Sequence, residues 1–186
     1  MGLCGKTIVK DGQVLGFRAL DSLCIRVARD IPGLAPKNAA ELGSILILGA
    51  PGWGKTTLLR DLARRIADDC VISVVDERGE LYPEGFQRGK RMDVLYGFPK
   101  PRGMDMVLRT MGPDYIAVDE ITADADCAGL IQAANCGVRL IATAHASGIQ
   151  DLKRRPIYRS LLDSQVFQAI VLLKKDKSYR VERVVS

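Results

Sequence analysis

The chain has 186 residues, 47% of them apolar and 26% charged, which suits one domain with a full hydrophobic core and excludes disordered and collagen-like classes. Its net charge of +5 permits a nucleotide, nucleic acid or anionic membrane surface as partner but selects none of them. Five cysteines without CxxC spacing, beside a single histidine, leave no tetrahedral zinc site, and no apolar run approaches the roughly 20 residues that span a bilayer.

In chain order, "KTIVKDGQVLGFRALDSL" reads as two short strands around the turn Lys10-Asp11-Gly12. Asp21 or Ser22 then caps a short predicted helix over "LCIRVARD", ended by Pro32, Gly33 and Pro36. Residues 1–42 are expected to be a small N-terminal lobe and linker, the remnant of a larger N-terminal domain, and 43–186 a second unit in which strands and helices alternate. "SILILG" is an apolar strand, "KTTLLRDLARRIADD" a helix with Leu58, Leu59, Leu62 and Ile66 on one face, and "CVISVVDE" a buried strand. Residues 81–103, rich in proline and glycine, read as a long irregular stretch.

Met104, Val107, Leu108 and Met111 fall at i, i+3, i+4 and i+7 and predict an amphipathic helix. "YIAVDE" is a strand, "DADCAGLIQAANCG" a helix, "VRLIATAH" a strand, and "YRSLLDSQV" a last helix. "FQAIVLLKKDKSYRVERVV" is a hairpin turning near Lys175–Lys177. The alternation implies an α/β fold with a mostly parallel sheet between helices.

"GAPGWGKT", Gly49 to Thr56, matches the phosphate-loop pattern between a predicted strand and a predicted helix. Gly49, Gly52 and Gly54 free backbone amides to point at phosphate, Pro51, Trp53 and Thr57 complete the loop and its first helical turn, and Lys55 is the β/γ-phosphate ligand. The Thr56 hydroxyl and Asp119, at the end of "YIAVDE", are the expected Mg²⁺ ligands, and Glu120 the residue that polarises the attacking water. The guanine-reading NKxD is missing from the sequence, so ATP is the expected nucleotide. Parallel sheets bind ligands at the carboxyl ends of their strands, so Gly49, Asp76-Glu77, Asp119-Glu120 and Thr143–His145 are expected to converge. His145, the only histidine, could be base, metal ligand, sensor or bystander; with no second ligand and Glu120 as base, a γ-phosphate sensor beside Thr143 is the reading that remains.

These segments carry a resemblance. "LRTMGPDYIAVDEIT" followed by "GLIQAANCGVRLIATAHAS" resembles the core of the type II and type IV secretion and pilus ATPases. "DSLCIRVARDIPGLA", "GAPGWGKTTLLRDLAR", "VVDERGEL", "RMDVLYGFPKPRGMDMVLRTMGP" and "IQDLKRRPIYRSLLDSQVF" are similar to the stage III sporulation protein AA family. The resemblance implies a RecA-like P-loop ATPase that converts ATP and water to ADP and phosphate. It also implies a homo-oligomeric ring, a hexamer at full length, in the mother-cell cytoplasm, held at the inner membrane by a polytopic platform protein and serving the channel to the forespore. Within "DERGE" it makes Glu77 and Glu80 candidates for the catalytic centre, and among Arg78, Arg88, Arg91, Arg102 and Arg109 it favours Arg109 as a phosphate-contacting finger. The family has an N-terminal domain to the left of Met1, so weak turnover is expected of this chain alone. Rival readings are a nucleic-acid-associated RecA-like ATPase, disfavoured by 5% aromatics and no interleaved basic strip, and a nucleotide-gated structural ring with little turnover.

Overall fold

The computed structural model describes residues 2–25 and 27–184; the sequence readings at Met1, Arg26 and Val185 lie outside them. Strands β1 (Gly2–Lys10) and β2 (Gln13–Cys24) form a two-stranded antiparallel ribbon turning at Asp11-Gly12, both with positive φ. Leu3 faces Leu23 and Val9 faces Val14 across the ladder, and all four side chains are exposed. The helix expected over "LCIRVARD" is not formed: β2 runs on to Cys24, and residue 25 and 27–31 have no regular structure. An eight-residue helix with β-branched Ile25 and Val27 and no surface to pack on cannot repay nucleation, whereas pairing with β1 satisfies the backbone at once.

The other strands form one seven-stranded sheet, ordered β5-β4-β6-β7-β3-β8-β9, from β3 (Ile45–Leu48), β4 (Ile72–Asp76), β5 (Met92–Tyr96), β6 (Tyr115–Val118), β7 (Arg139–Ala144), β8 (Ala169–Leu173) and β9 (Tyr179–Arg183). All neighbours are parallel except the β8–β9 hairpin, whose turn carries Lys177 at φ 71. β3, β4, β6 and β8 are buried along their whole length and apolar apart from the buried Ser73 and Asp76, as strands covered on both faces must be.

Their alternating side chains feed two cores. Ile45, Ile47, Val74, Ala117, Ile141 and Val171 meet Leu58, Leu59, Leu62 and Ile66 of α1 (Lys55–Ile66). Leu46, Leu48, Val75, Ile116, Val118 and Leu140 meet α2 (Lys100–Thr110), α3 (Asp124–Asn135), α4 (Ile149–Lys153) and α5 (Arg159–Asp163) on the opposite face. Each fully buried leucine or isoleucine contributes about 1.5–3 kcal/mol.

The stretch expected to be irregular is more ordered than its composition suggests. Met92–Tyr96 pairs with β4 as an edge strand, and α2 begins at Lys100 rather than Met104, with Pro101 in the first turn, where a missing N–H costs nothing. The last helix is shorter than expected, a 3-10 turn at Pro156–Tyr158 followed by Arg159–Asp163, and α4 precedes it. The linker after β2 is tied to α1: Asp61 accepts the amides of Gly33 and Ala35, and the Arg60 guanidinium donates to the carbonyls of Arg29, Glu80 and Leu81.

Candidate active site

The order of the sheet places the site. β7 lies between β3, which runs into the glycine-rich loop, and β6, which ends at Asp119, so the carboxyl ends of β3, β7 and β6 open side by side. Pro51, Gly52, Gly54, Lys55, Thr56 and Thr57 form one wall of a cleft of about 550 Å³. Asp119, Glu120, Thr143, His145, Arg78 and Glu80 form the other. Of the strand ends expected to converge, Asp119-Glu120 and Thr143–His145 line this cleft with the loop that follows Gly49, while Asp76 and Glu77 line a smaller cavity that shares Asp119 and Glu120 with it.

The loop needs its glycines. Gly52 and Gly54 have φ of 74 and 100, a left-handed region that side chains avoid. A Cβ on Gly49 would lie 3.1 Å from Leu173 Cβ. Lys55, 6% exposed, donates from Nζ to Ala50 O (3.2 Å) and to His145 Nδ1 (2.7 Å). Burial pushes the Lys55 pKa down, while Asp119 and Glu120 oppose the shift.

Asp119 is bonded on both oxygens. Thr56 Oγ1 donates to Oδ2 at 2.7 Å, and Thr143 Oγ1 donates to Oδ1 at 2.6 Å while accepting the Glu120 amide at 2.8 Å. Glu120 follows with φ 46, a left-handed backbone that costs a non-glycine residue roughly 1–2 kcal/mol and turns its carboxylate into the cleft. There its Oε1 lies 2.9 Å from His145 Nε2 and its Oε2 3.8 Å from Arg78 Nη1. An ammonium can only donate, so His145 Nδ1 accepts from Lys55 and the ring proton sits on Nε2, directed at Glu120. One imidazole thus joins the phosphate-loop lysine to the acidic strand end.

The "DERGE" residues divide their roles. Buried Asp76 accepts the amides of Glu80, Leu81 and Tyr82 and so shapes the turn after β4. Glu77 and Glu80 line, with Asp119 and Glu120, a polar cavity of about 30 Å³, room for a water. Glu77 is held by Lys100, whose buried Nζ lies 2.7 Å from Glu77 Oε2 and 3.6 Å from Asp126 Oδ2. Sequence reading missed Lys100; a lysine opening a helix carries no local mark of a partner 23 residues back. Arg109 lies outside the cleft, exposed on α2 and paired with Asp105 at 2.9 Å. Arg88 lies on Tyr96, and Arg91 donates to Asp69 O.

Among the described residues no three acidic, histidine or cysteine side chains gather as a metal cluster. The Thr56 hydroxyl and the Asp119 carboxylate, hydrogen-bonded to each other, are nevertheless a hard-oxygen pair of the kind Mg²⁺ takes together with phosphate and water. No helix among the described residues is long and apolar enough to cross a membrane.

Solved structures share this architecture. The pilus retraction motor PilT with bound ADP superposes with a TM-score of 0.62 at 19% identity, over 95% of this chain and 58% of that one. The Legionella pneumophila ATPase DotB gives 0.60 at 20% identity, over 79% and 46%. The VirB11 ATPase of the Brucella suis type IV secretion system gives 0.60 at 18%, over 78% and 48%. The fold is therefore the RecA-like P-loop fold that the sequence resemblance implied. Among curated relatives, stage III sporulation protein AA of Bacillus subtilis is 37% identical over 95% of this chain, which spans 63% of that protein's length. The protein SEEDLING PLASTID DEVELOPMENT 1 of Arabidopsis thaliana is 32% identical over 81% of this chain and 23% of its own length. The family model described as Sporulation stage III, protein AA matches residues 1–184, and the chain belongs to that family.

Proposed function

We propose that the chain binds ATP with Mg²⁺ in this cleft and hydrolyses it to ADP and phosphate, as one subunit of a motor that powers assembly of, or transport through, the channel between mother cell and forespore. The observation that carries the chemistry is the arrangement of Lys55, His145 and Glu120 beside the Thr56–Asp119 pair, where a terminal phosphate would meet a cation, a proton donor and a carboxylate together.

Amides of residues 52–56 and the Lys55 ammonium hold the β- and γ-phosphates, and γ-phosphate takes over the lysine from His145. Thr56 and Asp119 would hold the metal, which would supply neutralisation of phosphate charge. Glu120 orients a water and takes its proton, with Glu77 and Glu80 as neighbouring acidic groups around the small cavity. Released from Lys55, the His145 ring can donate to phosphate and pass the state of the site towards Ser147, whose amide is accepted by Asp151 of α4.

In this reading the chain works in a ring of copies, six in the full-length form, docked on a polytopic membrane platform protein at the inner membrane. In such a ring Arg109, free of its own cleft, serves the phosphate of a neighbouring copy. The test is phosphate release against chain concentration, with and without the platform's cytoplasmic domain. A rate per chain that rises with concentration supports sites completed between copies, and a flat rate contradicts it. ATP bound without turnover at any concentration would make the chain a nucleotide-gated ring, and stimulation by single-stranded nucleic acid would favour that rival partner.

A further inference from the structure

Lys100 goes against two tendencies at its position. It is the first residue of α2, where the helix dipole disfavours a cation, and it is buried, where an ammonium loses its hydration. Folding gives no reason for it: Pro99 before it makes no capping bond, and Met104 and Val107 already seat the helix on the core. Departures of this kind mark functional positions. Gly103, where a Cβ would fall 2.5 Å from Val75 Cγ1, lets α2 press on β4 and sets Lys100 beside the strand end that leads into Glu77.

The two carboxylates near Lys100 are unequal. Asp126 Oδ2 lies 3.6 Å from Lys100 Nζ, but it already accepts the amides of Thr122 (2.9 Å) and Ala123 (3.1 Å) and the Thr122 hydroxyl (3.3 Å). Glu77 Oε2 lies at 2.7 Å, and Lys100 is the only partner of the Glu77 carboxylate among the described residues. The direction of Glu77 therefore depends on Lys100. Both residues line the small polar cavity together with Asp119 and Glu120, and Glu120 is held in turn by His145 Nε2 at 2.9 Å. A water in that cavity would offer two hydrogens to two carboxylates, each fixed by its own donor. Lys100 does not line the phosphate cleft. Resting on the ATPase reading above, we infer that Lys100 is a positioning residue for the hydrolytic step: it fixes the Glu77 carboxylate on the cavity, so that the attacking water is held by Glu77 as well as by Glu120. It acts through Glu77 alone and leaves nucleotide binding to the loop.

The experiment measures phosphate release at saturating ATP and Mg²⁺, ADP affinity and melting point for the whole chain and for Lys100→Met, Glu77→Gln and the double variant. Lys100→Met should lower kcat at least about tenfold and keep ADP affinity within about threefold, as expected of an interaction that serves the chemical step. Its melting point should move by no more than about 5 °C, because the Glu77 side chain, 38% exposed, can turn to water and Asp126 keeps its three bonds. Glu77→Gln should lose as much, and the double variant should stay within about threefold of the slower single one, since the two residues act as a unit. A double variant slower than that overturns the inference, because Lys100 then works by another route. Unchanged turnover in either single variant, a loss confined to ADP affinity, or a Lys100→Met chain that does not fold overturns it as well. Failure of the underlying reading looks different: the wild-type chain releases no phosphate, or releases it equally with Glu120→Gln, whereas release that needs Glu120 but neither Lys100 nor Glu77 sinks this inference alone.

Discussion

At the scale of single residues, His145 is the clearest case of chemistry outweighing packing. Its side chain is 32% exposed and its recorded polar contacts are Lys55 and Glu120, so removing it opens no core cavity. His145→Ala should keep nucleotide affinity and shift the melting point by no more than about 4 °C. Turnover should fall by about a hundredfold or more, measured as phosphate release at saturating ATP. A collapse of the fold would make the histidine structural. Cys127 is the opposite case: buried in α3 with its thiol on Ile157 O, it has a pKa pushed up to about 11, by burial first and then by Asp126 and Asp124. A raised thiol pKa leaves little thiolate below it, so at pH 8 a maleimide should label exposed Cys4, Cys24 and Cys136 first and reach Cys127 only on unfolding. Labelling of Cys127 as fast as Cys136 would contradict that placement.

At the scale of elements, α2 shows how a close approach sets the site. Gly103 lets the helix press on β4: a Cβ there would fall 2.5 Å from Val75 Cγ1 and 3.5 Å from Leu95 Cδ2. Gly103→Ala sets a helix-propensity gain of about 1 kcal/mol against overpacking of about 1–3 kcal/mol, and Val75, 1% exposed, has no room to yield. The variant should lose stability in a denaturant titration. It should also weaken the Lys100–Glu77 contact, because Lys100 opens the same helix. A more stable variant would mean that β4 and α2 part easily. Sequence misread the start of α2 for one reason: Pro101 and Gly103 look like breakers locally, yet one sits where a helix needs no N–H and the other where the sheet allows no Cβ. β5 was hidden because, as a half-buried edge strand carrying Asp93, it lacks the continuous apolar run that marked β3 and β6.

At the scale of the molecule, what was legible is what is local. The glycine loop, its strand and helix, and the acidic end of β6 carry their chemistry in adjacent residues, and the structure brings them to one cleft. Contacts between distant segments were not legible: Asp61 holding the linker, Lys100 reaching Glu77, and Lys177 and Tyr179 closing on the phosphate loop pair residues 23 to 145 positions apart. The two N-terminal strands and their turn were legible; only the helix over "LCIRVARD" was misread, because the segment after Asp21 could be helix or strand until its pairing with β1 was known. These long-range ties hold the phosphate loop, the linker and the hairpin together, and the central claim is that the cleft beside them turns ATP over through Glu120. The direct test is phosphate release by the wild-type chain and by Glu120→Gln at matched occupancy with ATP and Mg²⁺. The account predicts retained ATP binding with release reduced at least about a hundredfold; turnover unchanged in Glu120→Gln would contradict it.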